Sequence, residues 1–211
     1  MFAAVILIGA ALLMLPISAQ ERTVTPFHEA LFTATSAVCV TGLVVRDTAS
    51  HWSVFGQAVL MVLIQIGGLG VITVGASFSL LSGRRISLSQ RGRMQEAMSA
   101  PKVGGIVRLT GFVIRTSLMI EGIGALCMLP VFCRDFGVSG IWKAVFHSVS
   151  AFCNAGFDLM GTPDTPFVSL TAYRADTAIN LTISALIVVG GIGFLTWDDV
   201  RTNRLRFHRY R

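Results

Sequence analysis

Charge is scarce in this 211-residue chain: Asp, Glu, Lys and Arg together make up 13% of it. That is too little to clothe the surface of an ordinary soluble domain. Cysteine is sparse too. The four cysteines, Cys39, Cys127, Cys133 and Cys153, show no Cys-x-x-Cys or metal-ligand spacing, which argues against a zinc site or a dithiol redox centre and leaves free apolar thiols. The histidines, His28, His51, His147 and His208, form no ligand cluster. There is no His-Glu-x-x-His, no nucleophile elbow and no carboxylate pair at a catalytic separation, so the chain does not read as an enzyme.

What is abundant is apolar. The apolar fraction is 53% and the mean hydropathy +0.70, which places the chain among membrane proteins. The pI of about 9.8 raises the question of nucleic acid, and the location of the charge answers it. Six of the seventeen Lys and Arg lie between Arg84 and Arg108, and five more between Arg201 and Arg211. Both clusters follow long apolar runs, where cytoplasmic charge accumulates. No nucleic-acid-binding motif accompanies them, so they read as setting topology and imply no nucleic acid.

The chain repeats itself. Residues 30–43 (ALFTATSAVCVTGL) and 144–157 (AVFHSVSAFCNAGF) share Ala, Phe, Ser, Ala, Cys and Gly in identical places. Each is followed by an apolar run carrying a second shared phrase, Gly67-Gly68-Leu69-Gly70 and Gly190-Gly191-Ile192-Gly193. Such duplication fixes architecture before any local reading does.

A helix needs about 20 apolar residues to cross a hydrocarbon core. Val54–Leu81 and Ala178–Trp197 meet that length, Ile106–Phe132 meets it with charged interruptions, and Met1–Ile17 is slightly short. Met1–Ile17 lacks the cationic start of a signal peptide and is read as a first span. Pro26–Val38 and Gly140–Phe152 are too short to cross, reaching about 20 Å as helices. Thr25 is the expected cap of the first, with Pro26 in its first turn, and Ser139 the expected cap of the second. Apolar segments of this length read as re-entrant half-helices, tolerated where the irregular backbone after them lines a cavity.

A half-helix dipping in from outside directs its negative end toward the membrane centre. The backbone beyond it offers carbonyl oxygens that can replace the water around a monovalent cation. The residues in that position are Val40, Thr41, Gly42 and Leu43, and Asn154, Ala155, Gly156 and Phe157. Gly serves where a Cβ would obstruct the required backbone angle.

At these phrases, with Ile66-Gly67-Gly68-Leu69-Gly70 and residues 146–158, the chain resembles the Trk/Ktr/HKT potassium transporters, closest to the membrane subunit of the bacterial Ktr system. The resemblance implies an all-α membrane protein of two tandem helix–pore-loop–helix repeats, half of a four-repeat fold around one pore. It implies potassium as the transported ion with sodium as a second or coupling ion, and a multi-pass location in a bacterial plasma membrane. The implied partners are membrane lipid, a cytosolic nucleotide-binding regulatory ring, a homodimeric mate, and a missing second half or second copy to complete the pore. A carbonyl cage needs about four strands and this chain has two. Its start inside an apolar run and end inside a basic one read as those of a fragment. The competing reading is a non-conducting scaffold or truncated assembly partner.

The expected organisation is a first repeat over 1–82, a basic cytoplasmic linker over 83–102, a second repeat over 103–197 and a basic cytoplasmic tail over 198–211. Asp47 and Asp158 follow the two loops closely, either concentrating cations at an outer mouth or lying solvated in loops. Glu121 and Arg115 fall inside the third span, at about 2.5–3.5 kcal/mol each if central. Six positions apart, they lie on different helix faces, so Glu121 is expected to bond a neighbouring helix and Arg115 to snorkel, with a cation relay as the functional alternative. The glycines of the second and fourth spans read as close-packing positions. Gly67–Gly70 is no nucleotide loop, because no strand precedes it and no Lys-Ser/Thr follows.

Overall fold

The computed structural model describes residues 2–70, 106–193 and 196–197. Seven α-helices are described: α1 (Phe2–Leu13), α2 (Phe27–Val38), α3 (Thr48–His51), α4 (Val54–Leu69), α5 (Ile106–Phe136), α6 (Ser139–Phe152) and α7 (Thr177–Gly191). Short 3-10 turns lie at Pro16–Ser18 and Thr171–Tyr173. Among the described residues there is no strand, and one isolated bridge joins Ala19 to Trp52.

Helices α1, α2 and α4 pack on one another, as do α5, α6 and α7, and α4 meets α6 between the two sets. Each set therefore holds a short helix between two apolar ones. Trp52, Phe132, Phe146, Leu60, Ile64 and Met128 are fully buried between them, each such side chain contributing roughly 1.5–3 kcal/mol through burial. Large apolar side chains also stud the outside, including Ile8 on α1, Leu126 on α5 and Leu181 on α7.

The first, second and fourth expected spans come out as shorter helices, while the third runs past Phe132 to Phe136. Thr110–Phe136 is the one helix among the described residues long and apolar enough to cross a membrane, while α1, α4 and α7 have 12, 16 and 15 residues. The reason for the early stop is backbone. The α4 helix ends at Leu69 because Gly70 takes φ +83°, and beyond α7 Gly193 takes φ +92°. A positive φ cannot continue a right-handed helix. Residues 71–81 of the second expected span, the linker 83–102 and the tail 198–211 lie outside the described residues.

The short helices fall within one residue of expectation, but their caps do not. Pro26 holds the N-cap position of α2 without a side-chain bond, while Thr25 Oγ1 is 3.1 Å from His51 Nε2. Val138 holds that position for α6, and Ser139 Oγ donates to the Phe136 carbonyl at 2.8 Å. Each predicted cap is drawn to a partner outside its helix. Elsewhere capping is conventional: Asp47, Ser53 and Asp176 accept from the backbone N–H three residues on, satisfying donors that a helix start leaves open.

Candidate functional site

The two short helices end identically. After α2, Val40 N–H donates to Ala37 O at 3.3 Å and Thr41 N–H to Ser36 O at 3.0 Å. After α6, Asn154 N–H donates to Ala151 O at 3.0 Å and Ala155 N–H to Ser150 O at 2.8 Å. This pair of bonds is the Schellman closure, and it requires a left-handed residue just past the cap. That residue is Val40 (φ +55°) in one case and Asn154 (φ +57°) in the other. Asn tolerates the conformation, whereas a β-branched Val there is a genuine outlier. Two residues on, Gly42 (φ +71°) and Gly156 (φ +74°) turn the same way.

Side chains brace both turns from equivalent serines. Thr41 Oγ1 donates to Ser36 Oγ at 2.9 Å, and Ser150 Oγ donates to the Phe157 carbonyl at 2.6 Å. The turns also meet each other: a Cβ built on Gly42 would lie 2.5 Å from the Ala155 carbonyl oxygen, and one on Gly156 would lie 3.7 Å from the Gly42 Cα. The Schellman bonds use two of the open carbonyls at each helix end. The next in line, Val38 O and Phe152 O, press against Gly67 of α4 and Gly190 of α7, where a Cβ would collide with them. The structure thus brings Gly42 against Ala155 and Gly156, just past the negative ends of two helices. Exposure differs sharply between the two loops: Leu43 is 60% exposed and Phe157 2%.

Asp47 is buried. It caps α3 through Ser50 and accepts from Phe167 N–H at 2.9 Å. Asp158 accepts from Met160 N–H at 3.0 Å and Ser169 Oγ at 3.1 Å, and it borders a cavity of about 250 Å³ with His147, Asn154, Gly156 and Ile183. Glu121 is buried on α5 and accepts from Gln65 Nε2 at 2.8 Å, while Arg115 is exposed on the same helix. Gln65 Oε1 is also 4.0 Å from Cys153 Sγ, and Ser148 Oγ donates to the Glu121 carbonyl at 2.6 Å. At the start of α2, Arg46 donates twice to Glu29, and this hydrogen-bonded contact holds the Glu29 carboxyl below its usual value of 4.5. Among the described residues no cluster of three His, Cys, Asp or Glu forms to hold a metal.

Sequence reasoning named the loop residues but missed Ser36, Ser150, Gln65 and Ser148. The two serines carried a signal, since they recur at one place in both copies of the repeated phrase. The other two carried none, because their partners lie on other helices.

The model of the cation transport protein family TrkH matches residues 2–208. The chain belongs to that family. It is 42% identical over 209 residues to the potassium/sodium uptake protein NtpJ of Enterococcus hirae, and 44% identical over 200 residues to the Ktr system potassium uptake protein B of Bacillus subtilis. It is 38% identical over 210 residues to the Ktr system potassium uptake protein B of Vibrio alginolyticus. These alignments take in 99%, 94% and 98% of this chain and 44%, 43% and 44% of the relatives, so it spans under half their length. These relatives are named as uptake proteins and not as enzymes.

Proposed function

We propose that the chain forms part of a potassium uptake pathway in a bacterial plasma membrane, built as two tandem helix–pore-loop–helix repeats over 1–82 and 103–197. Val40–Leu43 and Asn154–Phe157 are two strands of a selectivity filter, whose main-chain oxygens take the place of potassium's hydration shell. The negative ends of α2 and α6 favour a cation at the same place. Lipid covers the apolar outer faces of α1, α5 and α7, which water would not tolerate as a continuous surface. The observation that carries this reading is the matched pair of turns, left-handed at 40, 42, 154 and 156 and touching at Gly42 and Gly156.

Two strands do not close a cage of about four. The remaining strands come from a second half, as the 44% coverage of the relatives supports, or from a second copy. A cytosolic nucleotide-binding ring is the regulatory partner in this reading, and the working assembly is a homodimer. Sodium is a second or coupling ion, in keeping with the name of the Enterococcus relative.

The test is potassium uptake in a deficient host, with this chain alone and with the rest of a Bacillus-type relative supplied alongside. Rescue in the second arm supports a half-pore. Rescue in the first supports closure by a second copy. Failure in both favours a non-conducting scaffold and sinks the transport reading.

A further inference from the structure

One face of α6 carries Lys143, His147 and Ser150 at spacings of four and three, so all three point the same way. Each reaches the chain that returns from the second loop. Lys143 Nζ donates to the Leu159 carbonyl, and Leu159 N–H donates to His147 Nε2 at 3.2 Å. The other ring nitrogen, Nδ1, is 2.7 Å from the Lys143 carbonyl oxygen. A carbonyl only accepts and an amide N–H only donates, so the imidazole must be protonated at Nδ1 and bare at Nε2. Ser150 holds the Phe157 carbonyl. Alternate peptides of the returning strand, at 155, 157 and 159, are therefore all fixed by one helix.

The equivalent face of α2 carries Glu29, Thr33 and Ser36, and it does something else. Glu29 binds the Arg46 side chain, Thr33 Oγ1 donates to its own helix at the Glu29 carbonyl, and Ser36 meets Thr41. None of these three grips a peptide three residues beyond the glycine. Leu43 on that side is exposed, whereas Phe157 is buried. The ammonium of Lys143 is also held over the Phe136 ring, 4.5 Å from its centroid, so its position is fixed from two sides.

We propose that Lys143 and His147 are positioning residues of the second filter strand, holding the N–H and the carbonyl of Leu159 so that the oxygens of residues 155 and 156 keep the spacing that separates potassium from sodium. This rests on the reading of residues 154–157 as a filter strand. Carbonyl strands discriminate by the size of the cage or by the number and field of their oxygens, and two bonds from a helix to the backbone of one residue help to fix where those oxygens lie. The first strand lacks this clamp and is the more adaptable of the two.

The test has two readouts in the membrane-embedded protein. Amide exchange at Leu159 is expected to quicken roughly fivefold or more in His147→Phe, which removes the acceptor of that N–H, the loss of about one hydrogen bond, and to a smaller extent in Lys143→Met, which frees the carbonyl of the same residue. In the preparation that rescues uptake, the potassium-to-sodium permeability ratio from reversal potentials is expected to fall by a similar factor in Lys143→Met and to return in Lys143→Arg. His147→Gln, whose amide oxygen accepts as Nε2 does, is expected to keep both. Quicker exchange with an unchanged ratio overturns the selectivity role. Unchanged exchange in both variants overturns the clamp. If the unaltered protein passes no potassium, the transport reading and the selectivity role fall together, and the exchange readout alone then decides whether the clamp exists.

Discussion

Glu29 and Arg46 grip each other through two hydrogen bonds of 2.8 and 3.0 Å, tying the first turn of α2 to the chain four residues beyond Gly42. The carboxyl is held below 4.5 by that contact. A depressed folded-state value means that the unfolded chain binds the proton more readily, so the pair's contribution is complete above pH 4.5 and disappears as pH falls through the lowered value. Glu29→Gln is expected to cost about 0.5–1 kcal/mol at neutral pH. It should flatten the acid limb of a plot of melting temperature against pH, and an unaltered limb would refute the assignment.

Gly67→Ala and Gly190→Ala each place a methyl group against a backbone carbonyl that ends a short helix. A backbone oxygen has no rotamer with which to move aside, so a loss above about 2 kcal/mol is expected for each. Gly111→Ala and Gly122→Ala on α5, where a Cβ meets nothing within 4 Å, are the controls. They should be neutral or gain up to about 1 kcal/mol of helix propensity. Thermal melts of the four variants in one detergent separate the two classes.

Val40 carries a positive φ that its branched side chain resists. Val40→Asn should raise stability by about 1 kcal/mol, and Asn154→Val, the converse exchange, should lower it by at least as much. Opposite shifts in denaturation midpoint, with that of Asn154→Val at least as large, are the signature, and a destabilised Val40→Asn counts against a strained turn.

Tyr173 donates to Asp135 Oδ2 at 3.0 Å, and burial, assisted by that carboxylate, pushes its phenol up to about 12 from 10.0. The acid form is the one the fold favours. Stability from this group is present below pH 10 and is lost as pH rises toward 12. An ultraviolet titration should show one delayed phenol that Tyr173→Phe abolishes. A normal titration in the unaltered protein would contradict the bond.

Gln65→Leu strips Glu121 of its hydrogen-bond donor inside the protein, at an expected cost of about 1–3 kcal/mol. Glu121→Gln keeps an acceptor in place and should be far milder. If both variants melt alike, the contact carries no stability.

The ends of α2 and α6 were legible in the sequence because a Schellman closure is local: the residues that make it lie within six positions of one another. The end of α4 was not. Apolar residues continue past Leu69, and composition is silent about the angle that Gly70 adopts. Thr25 and Ser139 looked like caps by type and position, yet His51 and Phe136 claimed their hydroxyls. The expectation that Glu121 would seek another helix was sound, but Gln65 lies 56 positions away with nothing local to mark it. Asp47 was read as an acid facing an outer mouth or solvent, and its oxygens are spent on Ser50 and Phe167.

Asp47 lies directly against Gly161, where a Cβ would run into its carboxylate. The two positions correspond when the duplicated phrases are laid over each other. Matched copies would set acid against acid or void against void at that spot, and neither fills the space without conflict. Lock and keyhole differ, so at this juncture the two copies have parted into complementary shapes, which a perfectly faithful doubling would lack.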